Sequence, residues 1–187
     1  MARKRISPQK RIHEASRYIR ILEDRIYQYL DIIIRADPIT TRIARDGTGE
    51  IYMPSQNIFE HLQPASPPQG IVFRDGSFLT FKEIFRYDYA SEDAPEPIII
   101  HTEYSFHYQT PLRHFFFRYD FHPQLGDPLT HPLHHLHAGG WLTETDALPS
   151  IPRFPASEMT LGEVLDLIRV NYFPISDFGS LGNFRSL

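Results

Sequence analysis

The fold is decided by residues 97–137, which read PIIIHTEYSFHYQTPLRHFFFRYDFHPQLGDPLTHPLHHLH. Two runs in this stretch, 98–109 and 112–120, alternate between polar and apolar or aromatic positions. Period-two alternation over such lengths predicts β-strands with one buried face. Only Thr110 and Pro111 separate the runs, so we expect an antiparallel hairpin, followed by a histidine-rich loop.

A two-residue loop fixes the register of this hairpin. It places Glu103 opposite Arg118, and His101 opposite Asp120. Opposite charges then pair on one face and aromatic rings on the other, and each such pair stabilises a sheet by roughly 0.2–1 kcal/mol. The polar face of the hairpin is predicted to carry His101, Glu103, His107, His114, Arg118 and Asp120.

Composition limits the class of protein. The chain has 187 residues, 41% of them hydrophobic, which is enough for one domain with a core. A net charge of −4 gives no global basic field, and the absence of cysteine excludes disulfides and thiolate metal sites. No apolar run approaches a membrane span of about 20 residues. The basic N-terminus is not followed by an apolar segment, so we expect no secretory signal and a cytoplasmic protein.

The N-terminal part is predicted to contain a long helix over residues 12–35, because apolar residues recur there at three- and four-residue spacing. Asp37-Pro38 would end it, since the residue before a proline avoids helical geometry. Residues 40–52 could hold a short extended piece around a glycine-rich turn.

A second hairpin is predicted around Asp75-Gly76, a dipeptide that favours tight turns with positive φ. Near the C-terminus, Thr160 and Glu163 match a capping box that opens a helix with sequence TLGEVLDLI. Before this helix, Ala138-Gly139-Gly140 is expected to break the chain, and residues 141–154 are expected to be irregular.

These elements predict an α+β fold. We expect an antiparallel β-meander of about four to five strands, packed by the long N-terminal helix and the short C-terminal helix. The expected organisation is a tail, long helix and irregular segment over residues 1–69. An α+β core domain with the histidine-rich loop follows over 70–173, and a C-terminal tail over 174–187.

The histidines allow three interpretations. If their segment is extended, His135 and His137 share one side and could hold a transition metal. Their spacing matches no helical zinc motif, and no carboxylate lies at a diagnostic position, so a metal cofactor is not favoured. Half-buried histidines also serve plain structural roles through their ring nitrogens.

The third interpretation is acid–base chemistry without a metal. Histidine titrates near neutrality, so His107 and one of His134, His135 or His137 could act as base and acid. Arg118 would stabilise phosphate charge through its planar fork of donors. Glu103 or Asp120 would orient a histidine, unless Glu103 and Arg118 form only a structural ion pair. Metal-independent cleavage of RNA requires groups of this kind.

Five short motifs in order carry a family resemblance: DGSFL, YSFHYQ, FRYD, PLHHLH and the helix TLGEVLDLI. Over residues 70–168 they resemble bacterial toxins of the TumE type, which are usually encoded beside a helix-turn-helix antitoxin. The family pattern falls on Tyr104, His107, Tyr108, Arg118, Asp120, His134, His135 and His137. This chain departs from it after Asp120, where Phe121-His122-Pro123-Gln124 replaces the usual Asn-Ala-Pro-His.

The resemblance implies the toxin of a toxin–antitoxin pair, with a cognate helix-turn-helix antitoxin as partner and RNA as a candidate substrate. The catalytic candidates are His107, Arg118, Glu103, Asp120, Tyr104, His134, His135 and His137. The alternatives are a non-catalytic interaction module, with the long helix available for a homodimer, and a histidine metal-binding protein.

Overall fold

The computed structural model describes residues 6–53, 69–91, 94–110, 115–124, 131–140 and 153–174. These residues form two helices, α1 (Pro8–Tyr27) and α2 (Leu161–Tyr172). They also form nine strands: β1 (Ile33–Ala36), β2 (Thr40–Ile43), β3 (Gly49–Tyr52), β4 (Ile71–Phe73), β5 (Phe78–Tyr89), β6 (Pro97–Thr110), β7 (Phe115–Phe121), β8 (His134–Gly140) and β9 (Arg153–Pro155).

All nine strands belong to one antiparallel sheet, so the α+β class is confirmed and the expected number of strands was too low. The strands β4 to β9 form a meander, each pairing with the next, and β1 pairs with β4. The hairpin of β2 and β3 joins the same edge of β5 as β4 does, further along that strand. The extra strands are all short, three or four residues, except β8, which was expected to be a loop.

The hairpin at Asp75-Gly76 is confirmed, with a three-residue connection. The Phe73 N–H donates to the Ser77 carbonyl at 2.8 Å, and the Gly76 N–H donates to the Phe73 carbonyl at 2.9 Å. Gly76 has φ +82°, which a side chain would strain. This closure is typical of a turn followed by a glycine bulge, in which the glycine takes the positive φ.

The first helix is shorter than predicted. It ends at Tyr27, with Gln28 as its cap, and Ile33 begins strand β1 instead of continuing the helical stripe. The spacing of Ile33 from the apolar residues of α1 fits the helix, but Ile32 to Ile34 are three successive β-branched residues, which favour a strand. The backbone of Ile33 pairs with Phe73 of β4, and the Asp37-Pro38 stop therefore ends a strand.

The register between β6 and β7 differs from the predicted one by four residues. His107 lies opposite Arg118 and Ser105 opposite Asp120, so the expected pair of Glu103 with Arg118 does not form. The loop is correspondingly longer, and residues 111–114, including His114, lie outside the described residues. Because the shift is an even number, β7 keeps the faces that alternation assigned to it.

A β-bulge at Thr102 reverses the faces of the part of β6 that precedes Thr102 in sequence. Ile84 of β5 pairs with Glu103, but the next residue, Phe85, pairs with His101, so Thr102 is extra. Its hydroxyl donates to the Ile84 carbonyl at 3.1 Å. His101 was predicted on the polar face and lies instead on the helix side, because the bulge shifts the alternation by one residue.

The segment from His134 to Gly140 is strand β8, not a loop. Ala138-Gly139-Gly140, expected to break the chain, pairs with Phe117, Phe116 and Phe115 of β7. A Cβ on Gly139 would lie 3.2 Å from the Phe116 ring. The small residues therefore make room for a phenylalanine-rich neighbour, and β9 then pairs with β8.

Both helices pack on one face of the sheet and enclose the core. Leu22 and Ile26 of α1 and Leu165 and Ile168 of α2 are buried in one cluster with aromatic residues of the strands, such as Phe106. The capping box of α2 is confirmed, with Thr160 and Glu163 bonding each other's backbone N–H. Neither helix of the described residues is both long and apolar enough to cross a membrane.

Candidate functional site

The candidate site lies on the sheet face opposite the helices, which we call the polar face. Register aligns side chains of β6, β7 and β8 in two adjacent rows across the strands. The first row is His107, Arg118 and His137. The second row is Ser105, Asp120 and His135.

Asp120 is the centre of the cluster. Its Oδ2 accepts a hydrogen bond from Arg118 Nε at 2.7 Å and lies 3.2 Å from His137 Nε2 and 3.7 Å from His135 Nε2. Burial alone would raise the pKa of this carboxyl, but His137, Arg118 and Ser105 outweigh burial and hold the pKa well below its usual range. Asp120 is therefore a buried carboxylate that carries its negative charge at neutral pH.

His135 is oriented by the backbone. Its Nδ1 lies 2.7 Å from the Pro132 carbonyl, an acceptor, so Nδ1 carries the proton and donates. Burial is the main reason that the pKa of His135 falls to about 4. The ring is therefore neutral near pH 7, and the unprotonated Nε2 faces Asp120.

His107 is held at the other side of Arg118. Its ring stacks on Phe116 with centroids 5.7 Å apart, and its Nε2 lies 3.4 Å from Gln109 Oε1. The ring is buried. His107 therefore flanks the guanidinium from β6 while His137 flanks it from β8.

Glu103 lies at the margin of this group. Its Oε2 is 3.8 Å from His122 Nδ1, and His122 Nε2 is in turn 3.9 Å from Asp120 Oδ1. Glu103 thus approaches the cluster through His122 and not through Arg118.

Tyr104 and His134 lie on the opposite, helix-packed face. The Tyr104 hydroxyl is 2.9 Å from His134 Nδ1 and accepts a hydrogen bond from the Met159 N–H at 2.9 Å. Burial raises the pKa of Tyr104 to about 12, and His134 stacks on Phe121 with centroids 4.4 Å apart. Of the eight candidates, these two are separated by the sheet from the cluster around Asp120.

Two residues that sequence reasoning passed over also reach the polar face. Arg153 of β9 pairs with His137 and extends the first row with a second guanidinium. His122 follows β7 directly, and its ring lies 6.2 Å from that of His135. Alternation beyond Asp120 could have placed His122, but nothing in the sequence around Arg153 identified a strand there.

The arrangement offers two kinds of chemistry. Imidazoles on either side of a guanidinium can transfer protons around a bound phosphate. Alternatively, Asp120, His135 and His137 each offer a donor atom, all within 4.8 Å of one another, which is a donor set for a metal ion. Among the described residues, these three metal-ligating side chains are the group whose donor atoms lie close enough together to hold one metal ion.

Comparison with known proteins adds one finding. Neither the curated proteins nor the solved structures contain a match to this chain. The family model described as toxin TumE matches residues 58–170, which is more than half of the chain and covers every candidate residue of the polar face. The chain therefore belongs to the TumE toxin family.

Proposed function

We propose that this chain is the toxin of a toxin–antitoxin pair and that it cleaves RNA by acid–base chemistry at the first row of the polar face. The observation that supports the proposal is the register of β6, β7 and β8, in which His107 and His137 lie on either side of Arg118. Family membership supports the toxin role.

RNA cleavage needs three functions at one phosphate. A base deprotonates the 2′-hydroxyl, a cation stabilises the charge of the phosphorane, and an acid protonates the leaving oxygen. Base and acid must act from opposite sides of the phosphorus, since attack and departure are in line. Adjacent strands lie about 4.8 Å apart, so two imidazoles with one strand between them meet that requirement.

Arg118 is proposed to bind the scissile phosphate. Its Nε is used in the bond to Asp120, and the remaining guanidinium N–H groups provide the planar donors that suit a phosphate. The side chain is about a fifth exposed, with 22% of its surface accessible. Asp120 is a positioning residue, because it fixes the guanidinium and approaches the His137 ring.

The test is an RNA-cleavage assay in excess chelator, with wild type compared with His107→Ala and Arg118→Ala. We expect cleavage by wild type to persist without metal. Loss of a proton-transfer group or a charge stabiliser costs roughly 10²–10⁴-fold in rate. His13→Ala is the matched control, because His13 is exposed on α1, and it should cleave like wild type.

Equal cleavage by all four proteins would mean that the activity is a contaminant or lies elsewhere. Absence of cleavage in wild type would equally overturn the proposal.

A second role, binding of a helix-turn-helix antitoxin, is proposed for α1. The helix exposes three large apolar side chains, Ile12, Ile21 and Tyr27, each more than half accessible. They lie on different sides of the helix at about 100° per residue and form no single patch, so the proposed contact is centred on Ile21. Expression of the chain alone should arrest growth, and co-expression of the neighbouring antitoxin should relieve the arrest.

The binding surface is tested with Ile21→Asp, which should weaken antitoxin binding in a pull-down and leave the fold intact. Light scattering of the chain alone separates a homodimer from a monomer. A dimer that Ile21→Asp dissociates would assign this surface to self-association instead.

A further inference from the structure

Three buried side chains on the polar face bring metal-ligating atoms within 4.8 Å of one another. Asp120, His135 and His137 are 1%, 1% and 4% exposed. His135 Nε2 and His137 Nε2, which lie beside Asp120 Oδ2, have no hydrogen-bond partner of acceptable geometry in the described part of the chain, and neither has the other carboxylate oxygen, Asp120 Oδ1. Buried polar atoms without a partner are costly, so a missing partner is expected at this point.

The orientation of His135 shows what kind of partner is missing. The Pro132 carbonyl accepts from Nδ1 at 2.7 Å and so fixes the tautomer, which leaves the lone pair on Nε2 whenever the ring is neutral. That lone pair lies 3.7 Å from the Asp120 carboxylate, which is also an acceptor. Two acceptors that face each other in a buried site repel, and a cation between them converts the repulsion into two favourable contacts.

We propose that Asp120, His135 and His137 bind one divalent transition-metal ion of the zinc type. The set contains two imidazole nitrogens and one carboxylate oxygen, which suits zinc, iron(II) or manganese better than calcium or magnesium. Metal-bound histidines commonly donate the other ring N–H to a backbone carbonyl, as His135 does to Pro132.

The spacing of the donor atoms suits such an ion. Bonds of about 2.0–2.1 Å in tetrahedral geometry place ligand atoms about 3.3 Å apart. His137 Nε2 and His135 Nε2 lie 3.2 and 3.7 Å from Asp120 Oδ2. All three ligand atoms lie within 4.8 Å of one another, so rotation of the side chains can complete a three-ligand site with a further coordination position left for water or another group.

This inference stands apart from the proposed RNA cleavage, because metal binding is measured without RNA. It has one consequence for that function. An ion bound by His137 occupies the nitrogen lone pair that a proton would otherwise take, so the metal-bound form and the proton-transferring form exclude each other. Zinc added in excess over the chelator should therefore slow the cleavage that is seen in chelator alone.

The experiment uses the full chain without an affinity tag, stripped with chelator and then equilibrated with Zn²⁺. We expect elemental analysis to give close to one zinc per chain. Cobalt(II), used as a coloured probe, should show the visible absorption of a low-coordinate site and lose it when zinc is added. Retention of no zinc above the buffer level would overturn the proposal.

Variants locate the ion. His135→Gln and Asp120→Asn each remove a ligand, and we expect their zinc affinity to fall by more than the roughly 10–100-fold cost of losing a supporting hydrogen bond. His134→Gln is the matched control, because His134 is the adjacent residue of β8 but lies on the other face. Equal loss in the control, or none in the ligand variants, would overturn the assignment.

A measurement on wild type covers the case in which a variant does not fold. Imidazole nitrogen resonances in a ¹⁵N–¹H correlation spectrum should move for His135 and His137 when zinc is added, and stay for His134. Movement of exposed histidines alone, such as His13, would mean surface binding and would overturn the site.

Discussion

Two buried carboxylates lie on opposite faces of the sheet, and each has its own cationic or donating neighbours. Asp120 on the polar face is met by Arg118 and His137. Glu83 on the helix side accepts a hydrogen bond from the Tyr18 hydroxyl at 2.8 Å and lies 3.3 Å from His101 Nε2. A buried carboxylate without such neighbours would be strongly destabilising, so the neighbouring groups offset the charge of each acid.

The Glu83 group predicts a pH-dependent stability. Burial lowers the pKa of His101, but the hydrogen bond and charge of Glu83, with the charge of Glu158, outweigh burial, and the net pKa is raised. A folded-state pKa above the unfolded value of about 6.5 means stability that is present below that pH and lost as pH rises through the folded-state pKa. His101→Gln should therefore cost more stability at pH 6 than at pH 9.

Urea unfolding of wild type and His101→Gln at both pH values measures the difference. We expect a pH-dependent part on the order of 1 kcal/mol, reduced because the ring is about a third accessible. His13→Gln, on the exposed side of α1, should show no such dependence. A penalty for His101→Gln that is equal at both pH values would contradict a charged His101 in the folded state.

At the level of secondary structure, the sequence predicted the elements that depend on local signals better than those that depend on strand pairing. The hairpin at Asp75-Gly76 and the helix after Thr160 follow from turn and capping chemistry, which acts over a few residues, and both are confirmed. The predicted end of α1 was wrong. Ile33 fits the helical stripe and a β-strand equally well, and its pairing with Phe73 decides for the strand.

Alternation predicted much of the candidate site. It placed His107, Arg118 and Asp120 on one face, and it made the grouping of His135 with His137 conditional on an extended chain, which β8 provides. It did not predict which residues lie opposite one another, because that depends on the length of the loop after Thr110. The bulge at Thr102 and the strand containing Arg153 also depend on contacts distant in sequence.

The capping box of α2 gives a prediction at this scale. The Thr160 side chain accepts from the Glu163 N–H at 3.3 Å, and Glu163 Oε2 accepts from the Thr160 N–H at 2.8 Å. Thr160→Ala removes the first bond and should lower the free energy of unfolding by about 1 kcal/mol. Chemical denaturation measures it against Ser157→Ala, an exposed position just before the helix, which should change stability by less than about 0.5 kcal/mol.

In the whole molecule, the part of the chain that precedes the family match is built into the same sheet. The match begins at residue 58, yet β1 pairs with β4, and β3 pairs with β5. Ile51, Met53, Leu22 and Ile26 are all buried in the common core. The family-specific region therefore shares its core with the N-terminal elements.

A chain that begins at residue 58 should for this reason fail to fold cooperatively. It would lose α1 and leave the helix-packed face of β5 and β6 in water, which removes much of the apolar burial that stabilises a domain. Near-ultraviolet circular dichroism and urea unfolding of the truncated and full-length chains measure this. A sharp unfolding transition with native aromatic signals in the truncated chain would contradict a shared core.

The extra residue at Thr102 has a consequence for how this chain tolerates change. Just before Thr102, β6 turns His101 toward the helices, and just after it Glu103 lies with Ile84 on the other face. Deleting Thr102 would bring the two halves of the strand back into phase. His101 and Glu103 would then be neighbours in a regular strand and point to opposite faces, so the imidazole would stay beside Glu83. The strand should therefore accept the loss of this one residue without separating the acid under the first helix from its basic neighbour.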